Sequence, residues 1–453
     1  MIAYALAIVC GIALTALFAA AMYVAVGPRW GERRREVRIL LVILGAITLV
    51  KFLVLPHFPG FPSDTFHFLV WGEVMTRSGP SAIYVPQFDC RYLPGYLYVL
   101  WAAVAPARIS YFGHEITDAS TSVLRVLVRV PPSLADVALA LVIFAWLRTT
   151  AGARRGIGAV MMFALNPALI YTSVVWGQND SVLTLPLELA LLLAWQRDYA
   201  LASAAAAFAL MIKLQGLIVL PILGLWILIH GRPRDWILAA AAFLAIIVVT
   251  FAPFQIDKPW DYLYTVMASS ADYFPYTSMN AFNLPALIFG LRVRDSVTLF
   301  GISAFDLGLG LLSALYLVAL LIMWRGRSAR TLLYAAFLAY LGFFVLPTRI
   351  HERYLYFALA LLTPMALDSW ATLSMYAALT ITFLINQHLT LRFISGFTSK
   401  AQHDPYASPV ACVNIAALAV AIVYGLFLIS QESRRWPAPL RGFFAPFAVT
   451  SRA

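Results

Sequence analysis

The stretch GIGAVMMFALNPALIYTSVVWGQNDSVLTLPLELALLLAW, residues 156–195, decides how this chain folds. Apolar residues dominate 156–175 and 181–195, each near the length of a bilayer crossing. Between the two runs stand Trp176-Gly177-Gln178-Asn179-Asp180. A carboxylate at mid-span costs about 2.5–3.5 kcal/mol. These five residues are therefore expected to face a water-filled cavity or to lie at the membrane–water interface. Read alone, they are a wetted turn between two helices. Three further polar clusters on the same side of the membrane shift the reading toward function.

Working outward, the whole chain repeats this pattern. Of its 453 residues, 62% are hydrophobic and 12% are charged. A soluble protein carries about 25% charged residues, so the expected class is an all-α polytopic integral membrane protein. The net charge of +11 does not point to nucleic acid, because the basic residues sit in short loops between apolar runs, where they anchor the cytoplasmic side. Cys10, Cys90 and Cys412 form no CxxC pair, which argues against a zinc site or a disulfide framework. The first run, Ile2 to Val26, lacks a basic leading region and is too long for a signal peptide; a retained span is expected.

Thirteen runs are long enough, or nearly so, to cross: 2–26, 38–56, 131–148, 156–175, 181–196, 199–213, 216–230, 235–254, 303–324, 331–347, 353–368, 371–386 and 410–429. With the N-terminus outside, five basic clusters all fall inside: Arg29/Arg33/Arg34/Arg35/Arg38, Arg148/Arg154/Arg155, Arg232/Arg234, Arg325/Arg327/Arg330 and Arg434/Arg435. That agreement with the positive-inside rule sets the topology. Tyr92 to Pro106 is apolar too, but a crossing there would put Arg148, Arg154 and Arg155 outside, so a re-entrant helix is expected. Residues 117–130 carry Arg125 and Arg129 among helically spaced apolar residues, as an interfacial helix does. The expected organisation is one domain over 1–430, with outer loops at 57–130 and 255–302 and a cytoplasmic tail at 431–453.

Outer-face polar residues each admit two readings. Asp64, before an amphipathic helix at 65–76, is a capping Asp or a carboxylate placed to take a proton from a hydroxyl; Glu73 fits a solvated face equally well. Asp136, inside an apolar run, needs a partner, either Arg129 or Lys51. Lys213 snorkels from a helix end or holds a phosphate. Arg349-Ile350-His351-Glu352-Arg353 places cations on the face where they are disfavoured. A gripped phosphate explains them, and so does pairing with Glu352 and bulk lipid headgroups. The long outer loop carries Trp260-Asp261-Tyr262, Asp272-Tyr273-Phe274-Pro275-Tyr276 and Asn280-Ala281-Phe282-Asn283, suited to a sugar ring or to an interfacial lid.

Asp64, Asn166-Pro167 leading into Trp176–Asp180, Lys213-Leu214-Gln215, Asn280–Asn283 and His351-Glu352-Arg353-Tyr354 together resemble the multispanning GT-C glycosyltransferases. Within them the pattern is similar to the bacterial group related to the second mannosyltransferase of GPI-anchor synthesis. The resemblance extends over residues 38–430. It implies transfer of a hexose, with mannose one candidate, from a polyprenyl-phosphate carrier to an acceptor hydroxyl, usually with inversion, on the periplasmic face of a bacterial inner membrane. The acceptor is a glycolipid, a glycan or a protein, and membrane lipid is the other partner.

By the same resemblance Asp64 is the general base and Asp180 a second catalytic carboxylate. His351, Arg349, Arg353 and Lys213 hold the donor phosphate, while Gln178, Asn179, Gln215, Glu352, Asn280 and Asn283 contact substrate. The first loop has one Asp where some relatives carry a paired acidic motif; no metal ligand is assigned, and a divalent metal stays open. No Gly-rich nucleotide cradle occurs, in keeping with a lipid-linked donor. The competing readings are a transporter or flippase of lipid-linked sugars, and a lipid-linked glycan ligase or polymerase. No pairing of halves with interrupted helices at mid-membrane, the mark of many transporters, is visible.

Overall fold

A computed structural model of the chain describes residues 34–110, 122–256, 258–259, 261–395 and 405–433, with scattered positions before residue 34. Most of the expected span at 2–26, Arg29, Arg33, residues 117–121 of the expected interfacial helix, Trp260, Arg434, Arg435 and nearly all of the 431–453 tail lie outside the described residues.

The described chain is almost wholly helical. In order come α1 (Arg34–Val54), α2 (Pro62–Ser78), α3 (Pro94–Ser110), α4 (Ser122–Leu127), α5 (Val130–Thr150), α6 (Ala153–Ala164), α7 (Pro167–Ile170), α8 (Asp180–Trp195) and α9 (Tyr199–Ile212). They are followed by α10 (Leu220–His230), α11 (Pro233–Gln255), α12 (Tyr262–Ala271), α13 (Leu284–Phe289), α14 (Ala304–Gly326), α15 (Ala329–Val345), α16 (Leu355–Leu362), α17 (Trp370–Ser395) and α18 (Ala407–Ser433). Among the described residues, the strands are one short hairpin, Thr298–Leu299 with Ile302–Ser303.

Among the described residues, five helical segments are long and apolar enough to cross a bilayer: Arg38–His57, Arg125–Thr150, Pro233–Gln255, Ala304–Gly326 and Ala407–Gln431. A sixth candidate is the pair Ala153–Ala164 and Pro167–Trp176, bent by 49° at its break. The break follows from sequence: Pro167 cannot donate to the helix, and the Asn166 side chain accepts from the Ala168 and Leu169 N–H groups to start a new one. Several expected crossings are shorter helices. The 16 residues of α8 reach about 24 Å at 1.5 Å each, short of the ~30 Å hydrocarbon layer. The expected span at 353–368 is interrupted, with 3-10 turns at Glu352–Tyr354 and Thr363–Met365 on either side of α16.

Three expectations are corrected. Helix α2 starts at Pro62 with Phe61 as its N-cap residue and no side-chain cap, so Asp64 lies inside the first turn and does not cap it. Arg129 is buried, 1% exposed, where an interfacial position was expected. The expected span at 371–386 does not end there, and its helix runs on to Ser395 as α17.

The helices form two compact units. The first holds residues 1–217, 231–275 and 387–398. In it α9 packs against α11 and α8, α5 against α6 and α8, and α2 against α3. Every residue of α8 from Asp180 to Ala194 is buried, so this helix is apolar nearly all round, as one enclosed by protein is. The second unit holds 218–230, 276–386 and 399–453. There α15 packs on α14 and α16, and α18 lies against α13, α14 and α15. Ser328 and Thr331 start α15 with a reciprocal capping box.

Candidate active site

In the first unit, the polar turn between the two apolar runs is reached through a widened helical coil. After α7 the chain passes through a π-helical turn, Tyr171–Trp176, and then turns sharply. The N–H groups of Gly177 and Gln178 both donate to Thr172 O, at 3.0 and 2.9 Å. Gly177 has φ +86°, and a Cβ there would lie 2.6 Å from Arg129 Cδ. Backbone conformation and space both demand glycine. Arg129 holds the turn from behind, donating through Nε to Arg125 O at 2.8 Å and through an Nη to Val174 O at 3.0 Å.

This turn presents its polar side chains inward, and Gln178, Asn179 and Asp180 are all fully buried. Asp64, on the first turn of α2, meets it. Its Oδ2 accepts from Trp176 Nε1 at 3.3 Å and from Gln178 Nε2. The segment before α2 is pinned to the same place, with Phe61 N donating to Trp176 O at 2.9 Å. Asp180 begins α8 and accepts from Lys213 Nζ at 2.9 Å. Both partners are buried, so each neutralises a charge that would be expensive alone. Lys213 leaves the end of α9 and lies 5.6 Å from the centre of the Tyr92 ring. Tyr92 packs with Tyr96, Phe68 and Trp71, its ring centroid 5.2–5.8 Å from theirs. The buried Tyr96 hydroxyl is within electrostatic range of both Asp64 and Asp180 and beside Asn179. Gln215 is half-buried in the 3-10 turn after Lys213.

The open choice for Asp136 resolves as Lys51: the two form a buried ion pair. Glu73 pairs with Arg77 one turn along α2. Away from the membrane spans, Asp89 accepts from Arg91 Nε at 2.9 Å and from the Tyr273 hydroxyl at 2.9 Å, and the Arg91 guanidinium stacks 3.7 Å from the Tyr273 ring centre. Partial burial raises the Asp89 carboxyl, but these hydrogen bonds outweigh it and hold the group below the usual carboxylate range. The cluster fastens the loop before α3 to the end of α12.

The second unit carries the cationic motif on irregular backbone. Residues 276–280 run beside 292–295 and 348–351. Thr277 N bonds Val293 O at 2.7 Å, Arg292 N bonds Ser278 O at 3.0 Å, Arg349 N bonds Tyr276 O at 2.9 Å, and Met279 N bonds Ile350 O at 2.8 Å. His351 bridges to Met279 and Asn280. Arg349 pairs with the buried Asp295 at 2.7 Å and lies 4.6 Å from the Phe305 ring centre. Asn280 accepts from Arg292 Nε at 3.0 Å, and its carbonyl accepts from the Asn386 amide at 2.7 Å. Asn283 caps α13 and donates to the carbonyls of Phe344 and Pro347.

His351 and Arg353 extend this frame. Arg353 donates to Glu352 Oε1 at 3.0 Å and approaches His351 Nδ1 at 3.2 Å, while Glu352 Oε2 is 3.9 Å from Nδ1. A guanidinium only donates, so Nδ1 accepts, and the proton of a neutral His351 sits on Nε2. Glu352 is fully buried and takes up part of the local positive charge.

Sequence reasoning proposed Asp64, Gln178, Asp180 and Lys213, which lie in the first unit, and His351, Glu352 and Arg353, which lie in the second. It missed the stacking of Tyr92 on Lys213 and the Asp295–Arg349 pair, both joined only through the fold. Among the described residues, no three His, Cys, Asp or Glu side chains gather where they would hold a metal ion.

Residues 125–348 match the model of glycosyltransferase family 87. That region is just under half of the chain, and over it the protein is similar to this glycosyltransferase family. No curated protein matches the chain. Among solved structures, it is similar to ArnT from Cupriavidus metallidurans bound to undecaprenyl phosphate, with 16% identity and a TM-score of 0.49 over 87% of this chain and 78% of that one.

Proposed function

We propose that the protein is a glycosyltransferase of the GT-C type that moves a hexose, with mannose one candidate, from a polyprenyl-phosphate donor to an acceptor hydroxyl at the periplasmic face of a bacterial inner membrane. The observation that carries this reading is the Asp64 carboxylate. It is freed from capping its own helix and held by N–H donors from Trp176 and Gln178. Those two donors fix its orientation and are themselves neutral.

In the proposed reaction Asp64 takes the proton of the acceptor hydroxyl as that oxygen attacks the anomeric carbon. The carbon–oxygen bond to the lipid phosphate breaks, and the phosphate departs with the bonding electron pair. Attack opposite the leaving group inverts the anomeric centre. Arg353 and the Nε2–H of His351 are assigned to the departing charge, the part of the barrier that fixed donors lower most. Arg349, engaged by Asp295, and Asn283, used as a cap, are assigned to building the loop that carries them. Lys213 is assigned to orienting Asp180 and the aromatic side chains around Tyr92, on which a sugar or lipid can lie.

The test is transfer in nanodiscs from radiolabelled polyprenyl-phosphate mannose into a membrane lipid extract. Labelled product from wild type, lost in Asp64→Ala and His351→Ala, supports the reading. Full turnover by Asp64→Ala removes Asp64 from the reaction. Movement of labelled lipid across liposomes with no new glycosidic bond would return the protein to the transporter class.

A further inference from the structure

The hairpin before α14 holds a residue with two penalties at once. Thr298 pairs with Ser303 and Leu299 with Ile302, leaving Phe300-Gly301 as the two-residue turn. The common form of such a turn requires positive φ at both central positions, a demand met readily by Asn-Gly. Here Phe300 adopts φ +51° and Gly301 φ +82°. A bulky residue in the left-handed region is unusual, and Phe300 is also 97% exposed. Nothing in the fold recovers either penalty. A strained, exposed aromatic points to an external contact.

The position of the hairpin along the membrane names that contact. Helix α14 is long and apolar enough to cross, and Ile302, Phe305, Leu309 and Leu317 are exposed apolar residues running from the hairpin along it. Other positions of α14, Gly308, Leu312, Leu315 and Ala319, are buried against protein. Its far end carries Trp324, with Arg325 stacked 5.2 Å from the ring centre, followed by Arg327 and Arg330. That is an aromatic and basic boundary. From Ala304 to Trp324 the helix rises about 30 Å, the thickness of the hydrocarbon layer. Phe300 therefore sits just beyond the opposite edge, at headgroup depth. Exposed Arg292 and Arg294 precede the hairpin by a few residues, where lipid phosphates would meet them.

We propose that the 298–303 hairpin is a membrane-interface anchor, with the Phe300 ring inserted among the lipids of the leaflet opposite the Trp324–Arg330 end. The lipid surface supplies the burial that the fold does not, and the turn geometry projects the ring outward. The inference is independent of the reaction proposed above. In the hairpin base, Ala304 N bonds Val297 O and Phe305 N bonds Asp295 O, so the anchor is tied to the partner of Arg349.

The test reads depth directly. Phe300→Cys and, as a reference at an exposed polar site, Ser296→Cys are made in the full chain with Cys10, Cys90 and Cys412 changed to alanine. Each is labelled with a nitrobenzoxadiazole dye and placed in phosphatidylethanolamine–phosphatidylglycerol nanodiscs containing lipids brominated near the headgroup. Quenching at 300 at least twofold greater than at 296 is expected. Equal quenching at the two sites overturns the proposal, and so does a blue-shifted, unquenched label at 300, which would put the ring against protein. If the cysteine-free background does not fold, the same labels are read in the native-cysteine chain after subtracting labelled wild type.

Discussion

The Asp64 cluster and the His351 cluster meet the same need, polar groups held firmly in an apolar setting, by opposite means. In the first, regular helices deliver side chains to one sharp turn, and the left-handed position is given to Gly177. The stabilisation there resides in side-chain pairs, Asp64 with Gln178 and Asp180 with Lys213. In the second, the left-handed positions fall on Asn280, Arg292 and Arg349, and backbone bonds among 276–280, 292–295 and 348–351 hold that strain. One site is rigid because its side chains are matched; the other because its backbone is cross-braced. Substitutions should therefore strike the first through chemistry and buried charge, and the second through the brace.

The largest effect is expected for Asp64→Ala, with turnover reduced about 10³- to 10⁴-fold and the thermal midpoint in detergent nearly unchanged. A large loss of stability would make Asp64 a structural residue and blur the contrast. Next, Lys213→Ala strands the buried Asp180 carboxylate and should lower stability by about 3 kcal/mol. Adding Asp180→Asn should restore part of that loss in thermal unfolding; no recovery would show that Lys213 acts through Tyr92 instead. Gly177→Ala must push against Arg129 and adopt a positive φ, a loss of about 2 kcal/mol on the same scale. Asn280→Gly should change stability by less than about 1 kcal/mol, because relief of the left-handed strain offsets the lost bond from Arg292. A large loss there would mean that the brace depends on the side chain.

The smallest effect concerns the loop fastening at Asp89. Its carboxyl is depressed in the folded state, so its contribution is complete above the ordinary carboxylate range near pH ~4 and is lost as pH falls through the folded value. Protease accessibility of residues 86–92 should rise only below about pH 4, and Tyr273→Phe should move that onset upward.

Much of this was legible in the residues. Apolar runs, basic clusters and the polar turn at 176–180 pointed to the membrane class, and the rarity of carboxylates in such runs singled out Asp136 and Asp180. The Lys51–Asp136 pair was one of two choices offered, and only the fold could select it. Helix lengths were less legible, because hydropathy does not distinguish a run facing lipid from one enclosed by other helices. Asn283 read as a sugar contact because a capping amide and a ligand amide look alike in sequence. Asp295 gave no signal at all: its partner Arg349 is 54 residues away, and nothing local marks either as half of a pair.

The complete enclosure of α8 has a consequence for how the protein meets different membranes. A helix with no lipid-facing residue has no hydrophobic length to match, so a thinner or thicker bilayer exerts no direct pull on it. Tilting and stretching fall on peripheral helices such as α14, whose Leu309 and Leu317 face outward. Asp180 stands at the first residue of α8, and the depth of its pairing with Lys213 is set by protein alone. The geometry of that turn is thereby insulated from lipid composition, as a mast is from the swell that moves the hull.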